Sequence, residues 1–186
     1  MGGLEQCPTY LGMETLTRVD WRTGYLEQAH SDYEMYQRLE RAGDVALCHR
    51  LHYLQMATEK LAKGFLTPAG GAPYEYTHKA FLRLIRDASN MSRVRRRLGR
   101  TGQYAAYRSF LRSVEPLAET IQNLSPEGDD HPNPEYPWRD GAGHVQSPLH
   151  HTFAGMEARD NPRLRELLGF VEILFAIANE EKGAAV

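Results

Sequence analysis

Residues 44–66 read Asp-Val-Ala-Leu-Cys-His-Arg-Leu-His-Tyr-Leu-Gln-Met-Ala-Thr-Glu-Lys-Leu-Ala-Lys-Gly-Phe-Leu. Leu47, Leu51, Leu54, Leu61 and Phe65 recur at helical steps or multiples of them, and Ala57 fills the gap. That is one face of an amphipathic helix. Asp44 is a fitting N-cap, and Gly64 marks the expected fraying end. His49, His52, Met56, Glu59, Lys60 and Lys63 fall on the other face or at its edge.

The pattern stays helical on both sides of this stretch. A first helix is expected from about Asp20 to Arg41, with Leu26, Ala29, Tyr33 and Tyr36 as its buried stripe and Trp21 and Tyr25 alongside. Ala42-Gly43 ends it, so the second helix returns antiparallel. After the turn residues 67–73, Thr77 caps a third helix carrying Phe81, Leu82, Leu84 and Ile85, broken at Ser89-Asn90. Ser92 to Leu98 reads as a short basic helical turn that stops at Gly99 and Gly102. A long helix follows from about Gln103 to Asn123, with Pro116 expected to kink or split it. Asn161-Pro162 opens the last helix as N-cap and first helical residue. That helix is apolar around most of its circumference, so it is expected to be central, with Gly169, Glu172, Ala176 and Asn179 as its small or polar strip.

Residues 125–158 differ. They hold five prolines and four glycines and keep no helical or strand period. A loop this long is uncommon in a compact domain. Its Pro-Asn-Pro-Glu-Tyr-Pro-Trp tract (132–138) argues for order, because Tyr136 and Trp138 call for burial. The expected fold is therefore all-α: an up-and-down antiparallel bundle of four to five helices in one domain of residues 1–186. An irregular arm covers 1–15, and an ordered loop is strapped across the bundle.

The 186 residues are 41% hydrophobic and 25% charged, with a net charge of -2. The charge is unevenly spread. Residues 79–112 hold ten Lys or Arg against one acid, Asp87, whereas residues 114–186 hold thirteen acids against five bases. Either the middle of the chain meets an anionic partner or the two halves face each other. The two cysteines, Cys7 and Cys48, build no disulfide framework, which suits a reducing cytoplasm. No stretch reads as a signal peptide or a membrane span.

Several of these residues form a recognisable set. Ala29-x-x-Asp32-Tyr33-x-x-Tyr36, then Ala57-x-Glu59-Lys60-x-x-Lys63, then Thr77-His78 at the start of the next helix, resembles the HEPN superfamily (higher eukaryotes and prokaryotes nucleotide-binding) over roughly residues 20–90. The resemblance implies a helical bundle, often dimeric. Some members are metal-independent ribonucleases, some bind nucleotides, and some are scaffolds or halves of toxin–antitoxin pairs. The ribonuclease members carry an Arg-x(4–6)-His motif near the start of the last bundle helix. Here that helix has no histidine, and the one match is Arg139 with His144 in the long loop.

Three constellations carry candidate chemistry. Glu59, Lys60 and Lys63 are either a solvated helix face or the lining of a phosphate-facing groove, to which the resemblance adds His78. The arginine cluster Arg93, Arg95, Arg96, Arg97 and Arg100, with Arg83 and Arg86 upstream, suits phosphate through its planar forks, and Tyr104 and Tyr107 stand near to stack on bases. Its alternative is a solvated basic turn, or one paired with Glu127, Asp129 and Asp130. Glu27-x-x-His30 and Glu75-x-x-His78, with Glu59 and Glu119, sketch a bundle metal site. Glu75 precedes the helix, however, so no metal and no cofactor is expected. His49-x-x-His52 lacks a second pair at zinc spacing. The leading expectation is a HEPN-like binding module for RNA or a nucleotide, without secure catalytic residues and compatible with a homodimer or a partner protein. The alternative is a metal-independent endoribonuclease, with Arg139 stabilising the transition state and His144 as general base. A third reading is a metal-dependent bundle enzyme.

Overall fold

The computed structural model describes residues 20–75, 79–124 and 130–183. Its helices are α1 (Trp21–Ala42), α2 (Leu47–Leu66), α3 (Ala80–Asp87), α4 (Ser92–Arg97), α5 (Tyr104–Gln122) and α6 (Pro162–Gly183). A 3₁₀ turn, Ala88–Asn90, links α3 to α4. The fold is all-α, and the described residues add one antiparallel ladder of β1 (Trp138–Arg139) and β2 (Val145–Gln146). Six helices stand where four to five were expected, because the basic turn 92–97 forms a helix of its own.

Asp20 caps α1 by accepting the Thr23 amide at 2.8 Å. Gly43 ends the helix at φ 75, a left-handed turn that favours glycine. Arg22, Asp32 and Glu40 of α1 meet Gly64, Lys60 and Arg50 of α2, so the two helices run antiparallel. The same inverse order joins α1 to α6, through Arg22–Glu181 and Tyr33–Glu172. It also joins α3 to α5, through Leu82–Gln122 and Arg86–Glu115. All six helices feed one continuous apolar cluster, to which Phe153 and Met156 of the long loop also belong. α6 is its centre, as its composition predicts: Leu164, Leu167, Phe170, Val171 and Leu174 are fully buried. Asn161 caps it by accepting the Arg163 and Leu164 amides.

Several local expectations fail for identifiable reasons. Asp44 does not cap α2, which begins three residues later behind Ala46 with no side-chain cap. Gly64 is no fraying point. It lies inside α2 where α1 passes so close that a Cβ would sit 2.6 Å from Leu26 Cδ2. Pro116 leaves α5 a single helix. Tyr107 cannot stack on a base, because it is fully buried and its hydroxyl donates to the Ala88 carbonyl at 2.6 Å. Burial pushes its pKa up to about 12. Thr77, His78, Glu127, Asp129, Cys7 and the 1–15 arm lie outside the described residues.

The long loop holds short-range structure that no periodicity signals. Asp140 accepts the Ala142 and His144 amides and the Gln146 side chain, closing a tight turn between β1 and β2. Gly143 completes the turn at φ 83. Trp138 is 4% exposed, edge-on to His151 at 5.0 Å and beside Phe153 at 6.4 Å. Tyr136, which was expected to be buried with it, is 60% exposed. The loop is tied to α2 at two places. Glu157 accepts both terminal nitrogens of Arg50, which also donates to Glu40 at 2.7 Å, and Glu135 lies 3.7 Å from His52. Burial opposes the Arg50 charge, yet the hydrogen bonds to Glu157 and Glu40 outweigh it and raise the guanidinium's pKa.

Candidate nucleic-acid interface

The two cationic groups of the sequence occupy different environments. On α2, Lys60 and Lys63 turn toward α1. Lys60 Nζ donates to Asp32 Oδ2 at 2.6 Å, and Asp32 is 5% exposed. Gln28 donates to the other Asp32 oxygen. Lys63 Nζ donates to Glu59 Oε1 at 2.6 Å, while Gln55 donates to Glu59 Oε2 at 2.8 Å. Within the Ala-x-Glu-Lys-x-x-Lys segment, Lys60 thus bridges to α1, while Glu59 and Lys63 pair within α2, and together they make a charge-matched seam. Lys63 also lies 5.9 Å from the Tyr25 ring.

The arginines of residues 79–112 divide into two sets. Arg83 pairs with Asp87, and Arg86 bridges to Glu115 on α5 at 2.6 Å. Arg93 reaches Glu180 and Glu181 at the end of α6, and Arg97 also pairs with Glu180. Part of the basic segment therefore does face the acidic half of the chain. The second set is Arg95, Arg96, Arg100, Arg108 and Arg112, for which no carboxylate among the described residues lies within 4.0 Å. Three of these lie over rings instead. Arg95 and Arg108 stand 5.4 and 5.9 Å from the Tyr104 centroid, and Arg100 stands 5.4 Å from that of Phe110. Tyr104 opens α5 directly after the left-handed turns at Gly99 and Gly102 and is 43% exposed.

A furrow runs between α3 and α5. Its first part, of about 210 Å³, is lined by Arg86, Ser89, Arg108, Arg112 and Glu115 over an Ile85–Leu111 floor. The second, of about 370 Å³, lies beyond Arg86 and is lined by Tyr74, Lys79, Arg83, Glu119 and Gln122, among others. Gln122 is buried, its carbonyl taken by the Leu82 amide. Sequence reading missed Lys79, Arg108 and Arg112. Their signal was present: 104, 108, 112, 115, 119 and 122 fall on one helical face, which matters only once α3 is known to lie beside it.

This chain matches no protein-family model, no curated protein and no solved structure. The HEPN resemblance stands on its motif residues alone.

Arg139 and His144 sit on the hairpin, where Arg139 donates to the Gly143 carbonyl at 3.3 Å. The His144 side chain is 78% exposed, its Nδ1 3.6 Å from Asp140. Glu59 and Lys60 are engaged by Gln55, Lys63, Asp32 and Met56. Among the described residues, no group of three or more His, Cys, Asp or Glu is placed to hold a metal ion. His30 instead packs edge-on against Phe175. Cys48 is a buried free thiol. No described helix is long and apolar enough to cross a membrane.

Proposed function

We propose that this chain is a HEPN-like binding module for RNA or a nucleotide, with its anion-contacting surface at α4 and the turn after it. One observation carries this reading. Arg93 and Arg97 are neutralised by glutamates of α6, whereas Arg95, Arg96 and Arg100, within the same few residues, have no carboxylate partner among the described residues. Like charges held together repel, and the fold has acids close by that it spends elsewhere. A polyanion supplies the missing counter-charge, and the arginine fork suits phosphate. Lys60 and Lys63 take no part in this contact, being occupied by Asp32 and Glu59. The resemblance extends the proposal to a homodimer, and the two-cysteine composition extends it to a reducing cytoplasm.

The test is a salt series with single-stranded RNA followed by fluorescence anisotropy. Log affinity should fall linearly with log salt, by about 0.7 per phosphate engaged. Arg95→Glu with Arg96→Glu should remove most binding while melting is unchanged. These two are chosen over Arg97 because Arg97 also holds α6. RNA binding that is absent, or indifferent to salt, would overturn the proposal. Cleavage without metal that disappears in His144→Ala would favour the ribonuclease instead.

A further inference from the structure

The furrow between α3 and α5 begins where the arginine surface ends. Its near part is lined by Arg108 and Arg112 of α5 and by Arg86 of α3. Tyr104 stands one turn before Arg108 on the same face, and Arg95 of α4 lies over its ring at 5.4 Å. Arg95 and Arg96, which have no carboxylate partner among the described residues, the exposed Tyr104 ring and the furrow thus follow one another along the surface, with Arg95 and Arg108 both beside that ring. From Arg108 to Gln122, the last α5 residue lining it, the path runs about 21 Å at 1.5 Å per residue.

We infer that this path is the seat of a single unpaired RNA strand, with Tyr104 as a base-stacking platform and Arg108 and Arg112 as phosphate contacts. This rests on the RNA-binding reading above and adds which form of RNA is taken. The physical reason is width. Two packed helices have axes about 8–10 Å apart, and the furrow between such a pair admits a backbone but not a duplex. Its second part, of about 370 Å³, is of the size that takes small ligands, and the first, of about 210 Å³, is smaller still. Base stacking on an aromatic ring likewise needs a base freed from its pair. The strand's path crosses one obstacle, the Arg86–Glu115 bridge at 2.6 Å. Arg86 is 59% exposed there, and exposed pairs hold weakly, so a phosphate can replace the Glu115 carboxylate on Arg86. Glu119 at the far end repels phosphate, which places the strongest contacts at the Tyr104 end.

The experiment compares an eight-nucleotide oligouridylate with a blunt twelve-base-pair RNA duplex at one salt concentration. The variants are Tyr104→Ala, Arg108→Ala with Arg112→Ala, and Arg108→Lys with Arg112→Lys. The single strand should bind at least about tenfold tighter than the duplex. Tyr104→Ala should weaken it by about tenfold, as for the loss of one base stack. The double alanine variant should lower the salt slope by about 1.4, two phosphates at 0.7 each, and the lysine variant should restore most of it. All three sites are on the surface, and unchanged melting verifies the fold. Equal or tighter duplex binding, or single-strand binding indifferent to Tyr104, Arg108 and Arg112 but lost in Arg95→Glu/Arg96→Glu, would overturn the inference and leave the general reading standing. Failure of the unmodified protein to bind either RNA would overturn both.

Discussion

The α1–α2 seam and the α4–α5 surface both concentrate positive charge, and the fold treats the two in opposite ways. In the seam each lysine meets a carboxylate at 2.6 Å, with Gln28 and Gln55 occupying the remaining oxygens. On the surface, five arginines go without such a partner among the described residues, and three of them lie over aromatic rings. A matched, half-buried seam holds two helices in register. In the exposed cluster the like charges repel, and no carboxylate among the described residues lies close enough to neutralise them. The difference teaches that charge type does not tell a paired seam from an unpaired surface, whereas the location of the counter-charge does.

The comparison breaks most readily at the seam. Lys60→Met leaves the Asp32 carboxylate buried without its cation and should cost about 3–5 kcal/mol, read by urea unfolding. Adding Asp32→Leu should recover most of that loss. A Lys60→Met protein as stable as the original would mean that the seam is not a matched pair at all. Arg95→Glu with Arg96→Glu, by contrast, should move stability by no more than about 0.5 kcal/mol, as for surface positions.

A smaller effect tests how closely the seam's helices approach. Gly64→Ala gains helix propensity but pushes into Leu26, whose flexible side chain gives way in part. The expected net loss is about 1 kcal/mol. A gain in melting temperature would show that α1 stands further off than the structure has it.

The paired arginines can be converted into unpaired ones. Glu180→Gln with Glu181→Gln removes the carboxylates that hold Arg93, Arg97 and Arg22. If counter-charge decides, the variant should bind single-stranded RNA more tightly, with a salt slope steeper by up to about 1.4. An unchanged slope would mean that Arg93 and Arg97 do not face the nucleic acid.

The smallest effect lies in the hairpin. The backbone hydrogen bond from His144 leads the contacts that hold the Asp140 pKa below its ordinary 3.8. A depressed carboxylate supports the folded hairpin fully above that ordinary value, and the support is lost as pH falls through the lowered one. An NMR titration following the Ala142 and His144 amides should therefore find a midpoint below 3.8. A midpoint at or above it would mean that the turn does not bind the ionised carboxylate.

The sequence by itself determined the helices, because periodicity and caps are local. Gly43 and Asn161 act where the sequence places them, and the stripes Leu26–Ala29–Tyr33–Tyr36 and Leu164–Leu167–Val171–Leu174 are buried as their spacing requires. It also located the arginine cluster. Tertiary structure decided everything that depends on which surfaces meet. Gly64 reads as a helix end until α1 is seen lying against it, and Tyr107 reads as a stacking ring until the Ala88 carbonyl takes its hydroxyl. Trp138 and Tyr136 share one motif, yet only Trp138 finds a pocket, between His151 and Phe153. The division of arginines into paired and unpaired was likewise invisible, since Glu180 and Glu181 are more than 80 residues from Arg93 in the chain and in contact with it in the fold. Local sequence sets the backbone's own hydrogen bonds and the periodicity of its side chains. Long-range packing sets burial and the distance between opposite charges, and those two quantities separate a paired seam from an exposed surface whose charge is left unpaired among the described residues.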